Sequence, residues 1–341
     1  MQKLNYVLYV QESDIVIKKK GNALKIQYPD MSLDHIPLDM IEAIMIFSNA
    51  MVESDMCQLC AERGISIWFL NRSANVRYRV SGRINGNVIV RKNQCLLSES
   101  EERMPVVKAM IAGKVYNSRA VVDKFRRNHP EKGEAELKKI IAILKDSEEK
   151  IRLADSESEI RSIEAYASKC YFKAIGHMVL KNTDDFHFET RNRRPPRDNM
   201  NALLSFTYTL LIVECMGALE SAGLDPYVGF LHTDRSGRAS MALDVMEEFR
   251  PLIADRFVLR LINLGLVNGE MFEESNGGIY LDGKGKAVVL KEWTHMKQEK
   301  VYIPELEENV AKGLFPHLQA QKLVRFVKGE MKEYTALQGR W

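Results

Sequence analysis

The spacing of apolar positions changes character along the chain. Over the first ninety or so residues, apolar and β-branched side chains alternate with polar ones or cluster in short runs, as strands require. Tyr6–Val10, Asp14–Lys19, Ala23–Tyr28, His35–Pro37 and Ala43–Phe47 are expected as strands, with Lys20-Gly21-Asn22 as a turn. One helix, from about Glu53 to Gly64, interrupts them, and Gly64 stands where a left-handed glycine would end it. Ile65–Leu70 and Val76–Val80 are again expected as strands, around the turn signal Asn71-Arg72-Ser73.

Past Gly82-Arg83-Ile84-Asn85-Gly86-Asn87 the period lengthens. Residues 99–127, 131–150, 153–180, 199–222, 238–264 and 304–334 carry apolar residues at three- and four-residue spacing, which predicts a large helical region. Gly278–Leu281 and Val288–Lys291, around Asp282-Gly283-Lys284-Gly285, are expected as a hairpin. The fold class is therefore α+β: a small β-rich N-terminal domain over residues 1–85, then a larger, mostly α-helical domain over residues 86–341. Strands do not alternate with helices as in a βαβ chain. No phosphate-binding Gly-x-x-x-x-Gly-Lys-Ser/Thr loop occurs, and no Gly-x-Gly-x-x-Gly opens a helix after a strand, so ATP-driven chemistry is not expected.

Composition narrows the class further. The chain has 341 residues, 45% hydrophobic and 28% charged, which suits a globular protein with a sizeable core. A disordered tail protein, a collagen-like rod and a disulfide miniprotein are excluded. The balance of 49 Lys+Arg against 46 Asp+Glu excludes a histone-like polycation but not a basic face. Five scattered cysteines, an odd count, point to a reducing cytoplasm. Cys57-x-x-Cys60 has no companion pair and lies in the expected helix, so no redox or metal role is assigned to it. The opening segment has no apolar run of the secretory kind. The longest uncharged stretch, Met200 to Val213, falls short of the ~20 residues of a spanning helix, so a buried helix and no membrane association are expected.

Some residues break the local rule. In 160–175, Ile160, Ile163, Ala167, Cys170, Tyr171 and Ala174 form one apolar stripe, and Glu164 sits inside it. A buried carboxylate is costly unless it is paired or bound to a metal. A salt bridge to a neighbouring helix is the ordinary account; a metal ligand or an acid/base is the functional one. His232 closes the short apolar run Val228–Leu231 just before a polar loop, where a capped structural histidine is common. Asp244 and Glu247, three apart, fall on the flank of a helix whose core face holds Ala242, Val245, Met246 and Phe249. Such pairs usually face solvent, yet like charges on one stripe repel unless a cation offsets them. Taken together, Glu164, His232, Asp244 and Glu247 are hard oxygen donors with one imidazole, a set that suits Mg²⁺ or Mn²⁺ and phosphodiester chemistry. No thiolate joins them, which argues against structural zinc.

Basic residues add a matching hint. Arg191, Arg193, Arg194 and Arg197 crowd one loop stiffened by Pro195-Pro196, and arginine favours bidentate phosphate contacts. Arg103, Lys108, Lys114, Arg119, Lys124, Arg126 and Arg127 punctuate one helical region, and Arg77, Arg79, Arg83 and Arg91 cluster near the domain boundary. Ordinary surface charge is the alternative for each group.

At these residues the chain resembles the CRISPR-associated integrase family, the endonuclease of the spacer-acquisition module. Four blocks carry the resemblance: IEAYASKCYF (163–172), RRPPRDNMNALLSFTYTLL (193–211), GLDPYVGFLH (223–232) and MALDVMEEFRP (241–251). The order of a β domain and then a helical domain also fits, so the likeness covers essentially the whole chain. It implies metal ligation by Glu164, His232 and Glu247, with Asp244 as a further acidic catalytic position, and a Mg²⁺ or Mn²⁺ cofactor. It also implies DNA contacts, for which Arg191, Arg193, Arg194, Arg197, Arg238 and Arg250 are the candidates. The family's first block usually reads Glu-Gly-x-Ala-Ala; here Ala165 and Ser168 depart from it, with consequences for local packing. The implied activity is integration of short foreign DNA into a CRISPR array, by attack of a 3′-hydroxyl on a repeat phosphodiester. The implied partners are double-stranded DNA (prespacer and repeat), a second copy through the β domain, and a small adaptation protein whose dimer is flanked by two dimers of this chain. A general branched-DNA nuclease and a non-catalytic DNA-binding scaffold are the alternatives. Metal-dependent nicking separates the enzymes from the scaffold, and preference for repeat DNA separates the integrase from the general nuclease.

Overall fold

The computed structural model describes residues 6–71, 74–82, 88–192 and 195–339. The chain divides into two compact units: Met1–Asn85 with Leu281–Lys300, and Gly86–Tyr280 with Val301–Trp341. Segment 281–300, assigned by sequence to the helical region, thus clusters with the β-rich unit.

The first unit opens with β1 (Tyr6–Val10), β2 (Val16–Lys20), β3 (Ala23–Gln27), β4 (Leu33–Pro37), β5 (Ile41–Ile46) and β6 (Met51–Val52). Helix α1 (Ser54–Glu62), β7 (Ser66–Leu70) and β8 (Val76–Val80) follow. Two four-stranded sheets result, in the orders β1-β5-β7-β8 and β4-β3-β2-β6. In the first sheet β1, β5 and β7 run parallel, with Leu8 opposite Ile44 and Ile44 opposite Ile67. In the second, β2 and β3 pair antiparallel with Ile17 opposite Ile26. Their pleat sends Ile17, Leu24 and Ile26 into the core and the paired Lys18 and Lys25 to the other face. Both sheets and α1 share one apolar core built on Ile15, Ile44, Met56, Cys60 and Ile67. Cys57 and Cys60 are free thiols, and burial pushes both up.

The second unit begins with α2 (Val88–Ser98), which the apolar pattern does not signal. Only Val90 and Gln94 of this helix are buried. Gln94 donates to the carbonyls of Asp225 (2.8 Å) and Val228 (2.9 Å) and accepts from the Asp225 amide (2.8 Å). A polar anchor therefore does what an apolar stripe usually does. Helices α3 (Met104–Asn128), α4 (Glu134–Leu153) and α5 (Glu157–His177) pack together, and α6 (Asn199–Ser221) runs through the interior. Among the described residues α6 is the one helix long and apolar enough to cross a membrane, and 67% of its apolar window is buried inside the protein.

The helix expected over 238–264 is broken into α7 (Ser240–Phe249), a π-type turn over Arg250–Asp255, and α8 (Arg256–Asn263). Pro251 has no amide hydrogen to give and its ring crowds the preceding turn, which widens the helix locally. The hairpin expected over 278–291 does not form. Phe272–Ser275 (β9) pairs with Gly278–Leu281 (β10), and Asp282 instead caps α9 (Gly283–Gln298), accepting from the Gly285 amide at 2.6 Å. The helix expected over 304–334 is likewise shorter. Lys300–Ile303 (β11) and Glu308–Ala311 (β12) pair, α10 spans Phe315–Val327, and the chain beyond runs without regular structure.

That tail is bolted to α7. The Tyr334 hydroxyl donates to Glu248 Oε1 at 2.5 Å, and the Leu337 amide and Gln319 Nε2 donate to Glu248 Oε2 at 2.9 and 2.8 Å. Asn117 on α3 closes the cluster, donating to the Leu337 carbonyl and accepting from the Gly339 amide. Burial pushes the Glu248 carboxyl up to about 7.

Candidate active site

Three elements of the helical unit meet at one lysine. Helix α5 starts under a Ser156 cap, whose side chain accepts from the Glu159 amide, and buries Ile160, Ala167, Tyr171 and Ala174. Glu164 shares that face and faces α3. There Lys114 Nζ donates to Glu164 Oε1 and lies 2.7 Å from Glu247 Oε2. Lys114 is thus a cation bridging two carboxylates from different helices. Ser168, one of the departures from the family block, donates to Glu164 Oε1 at 2.8 Å. The substitution adds a hydroxyl that orients the glutamate.

Glu247 is deeper than its sequence position suggests. Asp244 and Glu247 do not flank the buried face of α7; the helix is buried almost all round, with Asp244 1% and Glu247 4% exposed. The other oxygen of Glu247 pairs with Arg250 Nη1 at 2.9 Å. Burial pushes the Glu247 carboxyl up, but the charges of Arg250 and Lys114 outweigh it and hold the carboxyl at about 2. Burial also raises Glu164, as does the Glu247 charge, yet the Lys114 ammonium keeps it below the usual range. Lys114 in turn is raised despite its burial, because both carboxylates favour its charged form.

His232 reaches the site from the loop before α7. Gly229 allows the approach: a Cβ there would stand 2.6 Å from Ser240 Cβ and 2.8 Å from the His232 carbonyl oxygen. Asp244 then fixes the loop. Its Oδ2 accepts from the Phe230 and Leu231 amides at 2.7 and 2.9 Å, and its Oδ1 accepts from the His232 amide at 2.9 Å. Oδ1 also lies 2.6 Å from His232 Nδ1. With four partners on two oxygens, Asp244 has no acceptor capacity left for a cation. The carboxylate makes Nδ1 the protonated nitrogen and leaves the Nε2 lone pair for other work.

A buried network backs this cluster. Tyr171 and Tyr208 donate to the two oxygens of Asp255 at 3.0 and 2.7 Å, joining α5, α6 and the π-type turn. Burial pushes Asp255 up to about 6. The guanidinium carbons of Arg250 and Arg191 stand 4.9 and 5.4 Å from the Tyr208 ring centroid.

The candidate arginines separate accordingly. Arg250 is half-buried in the cluster itself, paired with Glu247. Arg191 is half-buried and donates to Asn201 Oδ1 and Ser205 Oγ, which ties it to α6. Arg238 is half-buried beside Ser240, and Arg197 is exposed. Arg193 and Arg194 lie outside the described residues, as does Arg83.

Among the described residues no three His, Cys, Asp or Glu side chains close on one point as a metal cluster. The donors nevertheless fit a divalent ion. Two carboxylates from separate helices already share one cation, with Lys114 Nζ paired to both Glu164 and Glu247. Lys114 was missed by sequence reasoning, although it carries the signal that exposed Glu164. It is a charge inside the apolar stripe Met110, Ile111, Ser118, Val121 of α3.

Acidic side chains on α5 and α7 sharing one cation, a histidine held by a carboxylate, and a β-rich N-terminal unit followed by a helical one are the features that the sequence resemblance implied. The model of the family described as CRISPR associated protein Cas1 matches residues 8–295, and the chain belongs to that family. A protein of Rhodospirillum rubrum named CRISPR-associated endonuclease Cas1 2 is 38% identical over 98% of each chain. One of Chlorobaculum tepidum, CRISPR-associated endonuclease Cas1 1, is 34% identical, again over 98% of each. Among solved structures, a Cas1 protein from Thermotoga maritima shares the fold with a TM-score of 0.81 at 24% identity, covering 98% of this chain and all of that one. A casposase bound to its integration product has a TM-score of 0.83 at 22% identity, covering 96% of this chain and 92% of that one.

Proposed function

We propose that this chain is a metal-dependent DNA endonuclease and integrase that inserts short foreign DNA fragments as new spacers into a CRISPR array. The observation that carries the reading is the pair of glutamates on separate helices, held round one cationic point beside a histidine whose Nδ1 is occupied. Glu164, Glu247 and Nε2 of His232 are the residues that would hold Mg²⁺ or Mn²⁺. Such an ion supplies charge stabilisation for an attacked phosphate. Asp244 acts as a positioning residue: it keeps the imidazole in one tautomer and one orientation. Arg250 and Lys114 keep Glu247 ionised at any pH where the enzyme would work. A 3′-hydroxyl of the incoming DNA displaces the 3′-oxygen of a repeat phosphodiester, one ester replacing another, so no nucleotide hydrolysis is needed.

The relatives' names support the nuclease part of this reading, and a solved Cas6-RT-Cas1–Cas2 complex shows the fold in an assembly with a Cas partner. For this chain we infer a cytoplasmic homodimer formed through the β-rich unit, two such dimers flanking a dimer of a small adaptation protein on double-stranded DNA. The test is nicking and strand transfer with labelled prespacer and repeat DNA, with Mn²⁺ or Mg²⁺ and with chelator. Activity that survives chelation, or that persists in Glu164→Ala, would sink the metal reading. Equal activity on repeat and unrelated branched DNA with the partner present would instead favour a general nuclease.

A further inference from the structure

A second cleft opens in the helical unit, away from the cluster round Lys114. It lies between the C-terminal half of α3 and the π-type turn with α8, and encloses about 600 Å³. That volume is in the range of ligand-sized pockets. None of Lys114, Glu164, His232, Glu247 or Arg250 lines it.

Helix geometry explains its lining. Leu252, Arg256, Leu259, Arg260 and Asn263 recur at the spacing that puts them on one face. Across from them α3 contributes Tyr116, Arg119, Lys124 and Arg127. Five side chains in the lining are basic, and Asp123 is its one acid. Asp123 is already engaged by Arg126 at 3.0 Å and Arg127 at 3.3 Å. The local field is positive: burial and then the like charges of Arg256, Arg127 and Lys312 hold the Lys124 ammonium below its usual range. For Lys124 that is a cost which an anion would offset.

The cleft also offers rings. The Arg119 guanidinium lies over Tyr116, 5.0 Å from its centroid, and Phe125 and His129 pair at 4.7 Å. Arg119 Nη2 is 3.2 Å from Glu148, while its Nε is buried without an acceptor. Cations interleaved with ring faces are what single-stranded nucleic acid takes, through its phosphates and its bases respectively.

We propose that this cleft is a second DNA site, binding a single-stranded segment through its phosphates on Lys124, Arg127 and Arg260 and through a base against Tyr116. The assignment rests on the chain being a DNA-processing enzyme. Full-length protein is titrated against a fluorescein-labelled oligothymidylate by anisotropy, across a salt series, for wild type, Lys124→Glu/Arg260→Glu and the neutral pair Lys124→Gln/Arg260→Gln. The charge-reversal pair is expected to bind at least about tenfold more weakly, with the neutral pair between. Loss of two phosphate contacts makes the log–log salt slope shallower by about 1.4. In parallel, wild type is photo-cross-linked to iodouridine-substituted DNA and the adducts are mapped. Adducts on Tyr116 or its neighbours in 116–129 support the site. Unchanged affinity and slope in folded variants, or adducts confined to other segments, overturn the cleft while leaving the nuclease reading standing. Wild type that binds no oligothymidylate also overturns the cleft, and the nuclease reading falls only if nicking of duplex repeat DNA fails as well.

Discussion

Glu247→Gln isolates the charge at the centre of the candidate active site while keeping its shape. In the native chain the carboxyl is buried beside Arg250, Lys114 and His232 and held at about 2, against an ordinary 4.5. A folded-state value below the unfolded one means that the native state takes up the proton less readily. Its contribution to stability is complete above the unfolded value and disappears as pH falls through the folded one. A depression of about 2.5 units at ~1.36 kcal/mol each amounts to roughly 3 kcal/mol at neutral pH, and more than half of it is gone by about pH 3. The assay is urea unfolding followed by far-ultraviolet circular dichroism, which reads the helical unit, at a series of pH values from 7 to 2.5. Glu247→Gln should be the less stable at pH 7, since Arg250 loses its carboxylate and Lys114 one of its two. The gap to wild type should then narrow by about 2 kcal/mol or more as the wild-type carboxyl is protonated. A gap that stays constant over this window would refute the claim that the ion pairs hold Glu247 ionised.

Asp244→Asn removes the acceptor at His232 Nδ1; nicking should fall about 10–100-fold with an altered pH–rate profile, and a wild-type profile would free His232 from Asp244. Lys114→Met leaves Glu164 and the buried Glu247 facing each other without the ammonium; unfolding should show a loss of about 3–5 kcal/mol, and wild-type stability would mean that the bridge is not formed in solution. Truncation after Gly329 deletes the Tyr334 and Leu337 donors to Glu248; the melting temperature of the helical unit should drop by several degrees, since each hydrogen bond to a charged group is worth roughly 1.5–3 kcal/mol. An unchanged melting curve would show the tail to be a passive cover.

Glu164 was legible because a charge on an apolar stripe has few explanations. Lys114 offered the same signal, but it lay in a helix rich in other cations, where a single residue does not stand out from surface charge. The two are informative only as a pair, and pairing across fifty residues of chain is not visible in periodicity. The boundary within 238–264 was hidden for a different reason: apolar residues continue in helical register through Arg250–Asp255, and the widening comes from Pro251, which alters hydrogen bonding without altering the pattern. At Asp282-Gly283 the local chemistry served two structures equally, a hairpin turn or a helix cap, and packing of Val289, Leu290 and Trp293 decided for the helix. Helix α2 was silent because its anchor is an amide side chain rather than an apolar face.

The charges inside the helical unit bear on why the cluster exists at all. Lys114, Glu247 and Asp255 are nearly or fully inaccessible, and Arg250 and Glu164 are only partly exposed. Desolvating such groups is so costly that well-packed apolar residues of similar size are commonly as stable or more so. Pairing offsets that cost here without leaving a surplus that folding alone would favour. Asp255 shows the purely structural solution, with a tyrosine hydroxyl on each oxygen. Glu247 does not follow it: one oxygen meets Arg250, and the other meets the ammonium that also serves Glu164. Two carboxylates from separate helices converging on one shared cation, where Asp255 has a hydroxyl for each oxygen, form the arrangement that an incoming cation would use, and this difference between two buried carboxylates of one unit separates the candidate reactive centre from a structural pair.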